Sequence, residues 1–443
     1  MNIRQWTATR TIAVGFAFII LVGGMLLSLP IANRDGEFIP FLNALFTSAS
    51  ATCVTGLVVY DTWTQFSVFG QAVILLLIQI GGLGFMAIAI LFSLVVGRRI
   101  GLRERSLLAE AVSATQVGGV IRLVRRMLIG TALFEGLGAA LLSMRFVPEF
   151  GWARGLWYSI FHSISAFCNA GFDLMGFRTP SSSLTYFYND PLVVLTIAAL
   201  IVIGGIGFVV WNELIEGRFS FGKLRLHSRA VLISTFVLLT VGTLLFLLLE
   251  NDGVFSTMST PERILSAFFQ SVTPRTAGFN TVDMAALSDG GKFVTMMLMF
   301  IGAAPGGTGG GIKVTTMVVM AATVFASLRN REDVSIWHFR LETEILRRAF
   351  CGVSVYLAMT VGGILVLCAQ GQLLTDAAFE CLSAIGTVGL STGITQALPT
   401  LSRIVIVLLM YAGRVGSLTV FLAVARSNKG GKLRNPIGKV IVG

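Results

Sequence analysis

Charge is scarce in this sequence. Of its 443 residues only 12% are Asp, Glu, Lys or Arg, where a soluble domain carries about a quarter. Histidine is rarer still, with three, and no cluster of carboxylates accompanies them. That leaves little material for acid–base or metal chemistry. The five cysteines (Cys53, Cys168, Cys351, Cys368 and Cys381) form no CxxC pair, and their number is odd. Scattered through apolar stretches, they read as small packing residues, which argues against a disulfide framework or a zinc site. What the chain has instead is apolar mass: 55% hydrophobic residues and a mean hydropathy of +0.83. The fold class is therefore an all-α polytopic membrane protein, with the bilayer as its solvent. The net charge of +11 would suggest a nucleic-acid partner in a soluble protein. Here the basic residues fall in short runs between apolar stretches, so they report topology and no nucleic-acid partner is expected. The apolar run after the N-terminal MNIRQWTATR lacks a small-residue cleavage pattern, and reads as a retained first span.

One pattern recurs four times. FTSASATCVTG ends at Gly56, FHSISAFCNAG at Gly171, FFQSVTPRTAG at Gly278 and FECLSAIGTVG at Gly389. A period of roughly 110 residues carried by a glycine suggests one unit used four times around a common centre. Apolar runs long enough to cross a bilayer, about 20 residues, flank each copy. The leading ones cover 11–31, 124–145, 229–250 and 349–369. The trailing ones cover 69–96, 190–211, 292–324 (interrupted) and 402–425. The short segments between, such as 41–52 and 157–168, are re-entrant or interfacial by length. Non-helical backbone at membrane depth survives only when buried in protein or lining water, so the four segments should meet on one axis. The expectation is four helix–pore-loop–helix repeats around a pseudo-fourfold central pore, over 1–97, 98–216, 217–328 and 329–443.

The basic residues orient the chain. With the N-terminus inside, 23 of the 33 Lys and Arg lie in inside segments. The positive-inside bias then puts both termini in the cytoplasm and all four re-entrant segments on the outer side of a cell membrane. The repeats are thus parallel ones.

A re-entrant half-helix that returns as extended backbone exposes carbonyl oxygens, and a ring of them can replace a cation's hydration shell. Glycine at the turn accepts φ > 0 and leaves the path free of side chains. The tripeptides expected to line it are Val54-Thr55-Gly56, Asn169-Ala170-Gly171, Thr276-Ala277-Gly278 and Thr387-Val388-Gly389. None is charged, which favours a monovalent cation over Ca²⁺ or Mg²⁺. The alternative is that glycine recurs because small residues let membrane helices pack closely.

VTGL, NAGF, TAGFNT and TVGLSTG resemble the four pore loops of the Trk/Ktr/HKT superfamily of K⁺ transporters, in order and spacing, over essentially the whole chain. The resemblance implies that Gly56, Gly171, Gly278 and Gly389 are filter positions with K⁺ as the transported ion. A Ser at the first position goes with Na⁺ permeation in plant members; here it is Gly56. The resemblance also implies a homodimer with one pore per protomer. No cofactor is expected on this chain. A cytosolic ring of regulator-of-conductance (RCK) subunits, KtrA- or TrkA-like, would carry the nucleotide. The chain lacks the additional N-terminal helix pair of the Trk type and is closer to the Ktr type.

Three trailing runs share a mark: IGGLGF at 80–85, IGGIGF at 203–208 and YAGRVG at 411–416. The third reads IGAAPGGTGGGIK from Ile301 to Lys313. Such a density of glycine with a proline should break the helix, and broken membrane helices line cavities. Residues Ala303, Ala304, Pro305, Gly306, Gly307, Thr308, Gly309, Gly310 and Gly311, with Lys313, are read as a gate beneath the filter. As a phosphate loop the stretch fails: Val314 follows the lysine, and no strand precedes it. A polytopic membrane enzyme built on that loop is the competing class, and it lacks catalytic side chains. Arg414 is the other intramembrane charge, at similar depth, and should face the pore or a carboxylate, or lock loop carbonyls. In the family an Arg here borders the pore as an electrostatic barrier.

Other charges leave alternatives open. Glu135 is either a coupling-ion ligand, as K⁺ symport with H⁺ or Na⁺ would need, or a helix-packing hydrogen-bond partner. Asp173 lies at the outer mouth, where it would concentrate cations. Glu380 and His162 flank pore-helix positions and are expected to be solvated or locally bonded. Arg275, just before a cation filter, is expected to turn away into a salt bridge. The segment 328–348 mixes aromatics with charge and suits either a docked partner or anionic lipid.

Overall fold

The computed structural model describes residues 8–84 and 119–416. The expectations for the basic segment 98–118, for the ends of the first and fourth trailing spans and for the tail from 417 lie outside the described residues. The first group of helices is α1 (Ala8–Ser28), α2 (Phe41–Cys53) and α3 (Val68–Leu83). The second is α4 (Val120–Phe150), α5 (Trp152–Phe167), α6 (Pro191–Gly205) and α7 (Phe208–Glu216). The third is α8 (Leu226–Leu249), α9 (Thr260–Val272), α10 (Asp289–Phe300) and α11 (Val314–Leu328). The last is α12 (Thr343–Ala369), α13 (Leu374–Gly386) and α14 (Thr400–Val415).

Among the described residues four helices, α1, α4, α8 and α12, are long and apolar enough to cross a membrane. They coincide with the four predicted leading spans. Most of each is not buried within the chain, and side chains such as Phe18, Phe236, Leu248 and Leu365 stand exposed. A water-soluble fold would bury that surface; lipid needs no such burial. This is a multi-pass membrane protein.

The short helices α2, α5, α9 and α13 are the opposite case. Nearly every residue of α2 from Asn43 to Cys53 is buried. Each packs against the long helix that precedes it. Local chemistry starts the neighbouring elements. Asp190 accepts from the N–H groups of Leu192 and Val193 at the start of α6, with Pro191 in the first turn. Ser259 and Glu262 form a capping box on α9. Ser288 accepts from Gly291 N–H at 3.0 Å to open α10.

The trailing helices do not run on as the hydropathy suggested. The predicted second span, 190–211, bends by 91° between α6 and α7. Gly207 has φ +92° there, and Phe208 N–H donates to Gly306 O at 3.0 Å instead of continuing the helix. Helices α3 and α14 end at the equivalent glycines, Gly84 (φ +81°) and Gly416 (φ +97°). The shared mark is thus a helix stop. Its first glycine has a second cause. A Cβ on Gly81, Gly204 or Gly413 would fall on the carbonyl oxygen of Thr52, Phe167 or Ile385 respectively. The trailing helix is pressed against the end of its own short helix, and only glycine fits. In the third group, α10 and α11 flank the non-helical stretch 301–313.

The segment 328–348 forms a small antiparallel hairpin, Ser335–Ile336 with Phe339–Arg340, between α11 and α12. Trp337 and Phe339 are exposed on it, and Asp333 pairs with Arg340 at 3.1 Å.

Candidate functional site

The four short helices end in the same way. In each, the residue two before the terminal glycine is left-handed: Val54 (φ +58°), Asn169 (+59°), Thr276 (+68°) and Thr387 (+52°). The glycines are positive too, at +97°, +70°, +81° and +94°. The residue between them is not. Left-handed β-branched residues are uncommon and strained, so the surroundings must hold them.

A hydroxyl supplies the hold. Ser50 and Ser383 accept from the N–H groups of Gly56 (3.0 Å) and Gly389 (3.1 Å). Ser165 and Thr273 donate instead to the carbonyls of Phe172 and Phe279, one residue past their glycines, both at 2.7 Å. The serines stand six residues before three of the glycines, a spacing visible in the sequence and overlooked in favour of the glycines. Thr273 breaks it by one.

All four glycines meet. A Cβ on Gly56 would sit 2.6 Å from Ala170 O, and one on Gly171 2.6 Å from Ala277 O. One on Gly278 would sit 2.5 Å from Val388 O, and one on Gly389 would land on Thr55 O. Each glycine therefore faces the carbonyl that precedes the next, in the cyclic order 56, 171, 278, 389. On one side of the ring lies a cavity of about 260 Å³ whose wall includes all four glycines, Asp61, Asp173 and Asp283.

Asp173 is half-buried and accepts from Met175 N–H at 2.9 Å. Burial first, and then the nearby Asp61, raises its carboxyl to about 7. Its charge therefore appears as pH rises through neutrality. If it attracts cations, transport should fall as the pH on the cavity side drops below about 7. The Asp173→Asn variant should be uniformly low and lose that pH dependence. Cation uptake across a pH series, compared between the two proteins, checks this.

On the other side of the ring lies the stretch 301–313. The second and fourth groups of helices hold it. Ala304 and Thr308 N–H donate to Gly205 O (3.0 Å) and Gly204 O (3.2 Å), and Gly311 N–H to Gly413 O (3.3 Å). Gly310 N–H donates to Thr387 Oγ1 at 3.0 Å, and Thr308 Oγ1 bonds the Asn169 side-chain amide at 3.2 Å. Gly302 N–H closes the stretch on itself through Ile312 O at 2.8 Å. Lys313 Nζ donates to Gly309 O at 2.7 Å.

Arg414 joins the remaining side. It occupies the position that is Gly82 and Gly205 in the other marks, and its guanidinium reaches from the stretch 301–313 to α3. It donates to Thr308 O, to Gly81 O, and to Gly82 O at 3.1 Å. Among the described residues no ion pair includes it. Of the alternatives for Arg414, a bond to a loop carbonyl, that of Thr308, is present.

Arg275 differs from its expectation. It is turned away and buried, but no carboxylate pairs with it among the described residues. Its Nη2 donates to Thr235 Oγ1 at 3.3 Å. The reason is local: the segments around it, Ile201–Ile206, Leu239 and Ala303, carry no acid. Glu135 accepts from Gln79 Nε2 at 3.0 Å, a helix-packing bond between α4 and α3. His162 is locally bonded, with Nδ1 at 2.7 Å from Tyr158 O. Glu380 is fully buried and accepts from Ser391 (2.8 Å) and Thr395.

The chain is similar to known proteins over nearly its whole length. The Ktr system potassium uptake protein B of Bacillus subtilis is 40% identical, over 99% of this chain and 97% of its own. The potassium/sodium uptake protein NtpJ of Enterococcus hirae is 39% identical, over 96% and 95%. The crystal structure of the potassium transporter TrkH from Vibrio parahaemolyticus superposes with a TM-score of 0.72, covering 93% of this chain and 85% of that one at 20% identity, so it shares the fold. The family model described as TrkH, cation transport protein, matches residues 5–433. The chain belongs to the TrkH family of cation transport proteins.

Proposed function

We propose that the chain is the K⁺-translocating membrane subunit of a potassium uptake system, working as a gated, channel-like uniporter. The four units 1–97, 98–216, 217–328 and 329–443 surround one pore. The carbonyls of residues 54–56, 169–171, 276–278 and 387–389 are its filter. Residues 303–311, with Lys313 and Arg414, are its gate. The observation that carries the reading is the closed ring of four glycines with uncharged carbonyls between them. Dipoles without carboxylates suit an ion with a weakly held hydration shell. The potassium-uptake names of the relatives point to the same ion.

Both termini are placed in the cytoplasm, by the distribution of basic residues. The relatives' "Ktr system" names imply several components. The proposed assembly is a homodimer with a cytosolic RCK-type ring of KtrA or TrkA kind, which holds the nucleotide. Na⁺ enters the name of one relative, and stimulation by Na⁺ is part of the proposal.

Radioactive Rb⁺ uptake into liposomes holding the purified chain tests it. Uptake should proceed without an imposed Na⁺ or H⁺ gradient and be suppressed by K⁺ far more strongly than by Na⁺. Uptake that requires either gradient would replace the uniporter with a symporter. Equal suppression by Na⁺ would remove the K⁺ filter.

A further inference from the structure

We infer that the side chains of Asn169, Thr276 and Thr387 form a second site for a monovalent cation, on the loop side of the glycine ring. The loop closes the path by occupying that site's ligands. The inference rests on the reading of the ring as a filter and deepens it.

The three residues hold the same place in their units, two before the glycine. All are fully buried. The loop meets them in chain order. Thr308 Oγ1 accepts from the Asn169 side-chain amide at 3.2 Å, and the Asn169 amide oxygen accepts from Thr276 Oγ1 at 3.3 Å. Gly309 lies so close to Thr276 that a Cβ there would land on its Oγ1. Gly310 N–H donates to Thr387 Oγ1 at 3.0 Å. Three consecutive loop residues thus cover three consecutive quarters of the ring. The fourth quarter has the apolar Val54, and there Arg414 spans from Thr308 O to the carbonyls of Gly81 and Gly82.

The chemistry of the covered atoms is that of a cation ligand set. Hydroxyl and amide oxygens are hard, neutral donors, and no carboxylate is among them, which favours a monovalent ion. What covers Thr387 Oγ1 is electropositive, a peptide N–H with partial positive charge, and two cations stand beside the loop, Lys313 at its end and Arg414 from α14. Lys313 Nζ sits on Gly309 O at 2.7 Å, and the Arg414 guanidinium on Thr308 O. The closed loop is therefore a tethered stand-in for the ion. An ion at the site and a closed loop exclude each other, so ions arriving through the ring keep the loop displaced. A ligand that binds one of two states shifts the population toward it.

Unidirectional Rb⁺ exchange in liposomes, with equal K⁺ on both sides, isolates this effect, because no net driving force acts. In the wild type, exchange should rise more steeply than the first power of K⁺, since K⁺ both permeates and displaces the loop. Thr276→Val with Thr387→Val removes two of the oxygens and should reduce the dependence to first power. Serine at the same two positions should restore the steepness, which a role in packing alone would not. First-power dependence in the wild type, or steepness retained in the valine variant, would overturn the proposal. The wild-type measurement decides even if the variant fails to fold. The filter reading is tested separately: Gly56→Ser must alter K⁺ over Na⁺ preference, whatever the steepness shows.

Discussion

Replacing Arg414 by alanine should raise K⁺ flux through the purified chain about tenfold. The side chain makes three charge-assisted bonds, one to the loop at Thr308 and two to the first unit at Gly81 and Gly82. Bonds from a charged donor contribute about 1.5–3 kcal/mol each in measured series. Much of that is offset when water replaces the lost partner. A residual of about 1.4 kcal/mol in favour of closure is a factor of ten in population. Flux scales with the open population when the closed path blocks. The loop keeps its other bonds, to Gly204, Gly205, Gly413 and Thr387, so the increase is bounded. Arg414→Lys should fall between the two, because an ammonium cannot span carbonyls on both sides of the path as the planar fork does. Deleting part of 303–311 should raise flux further. Rb⁺ uptake into liposomes, normalised to inserted protein, measures all three. If flux in Arg414→Ala stays at the wild-type level, the loop is not a gate.

How much of this was legible beforehand depends on which atoms do the holding. The four glycines were readable because a residue with no side chain is the only one that fits where a Cβ would strike a neighbouring carbonyl. The broken stretch was readable for a similar reason, since glycine and proline disfavour helix wherever they stand. The left-handed Val54, Asn169, Thr276 and Thr387 were not readable. Nothing in the sequence of valine or threonine announces that conformation; tertiary contacts impose it on them. The bend after Gly205 was hidden by hydropathy. The run 191–211 carries no charge, and its break depends on Gly306, almost a hundred residues away, receiving the N–H of Phe208. Arg275 shows the limit of charge reasoning. A buried cation was expected to have an anion, yet its pocket holds apolar side chains and Thr235. The loop's contacts with Asn169 and Thr387 give the tripeptide side chains a place of their own, which the sequence pattern does not announce.

Gly56→Ser should abolish most of the K⁺ over Na⁺ preference, and the argument separates strain from obstruction. At φ +97° any side chain is strained, at about 1–3 kcal/mol. That alone lowers stability and says nothing about ions. Gly371 provides the comparison: its φ is +89° and nothing lies within 4 Å of a Cβ there. Gly371→Ala should therefore lose similar stability and keep its selectivity. At Gly56 the Cβ would stand 2.6 Å from Ala170 O and 3.2 Å from Gly171 Cα. Backbone must move, and what moves is the carbonyl that faces the path. Gly278→Ser should act alike through Val388 O, because the ring is cyclic and each glycine guards the next unit's carbonyl. Discrimination between two ions of equal charge rests on the number and spacing of these dipoles. A loss of about 1.4 kcal/mol in that difference is a tenfold loss in preference. The serine hydroxyl also brings a new oxygen into the ring, suited to a smaller ion that tolerates a tighter cage. Competition of Na⁺ against Rb⁺ uptake measures the change. Na⁺ should compete at least about ten times better in Gly56→Ser than in the wild type. A preference unchanged in both serine variants, with protein present in the membrane, would mean that the ring is a packing contact and that ions take another route.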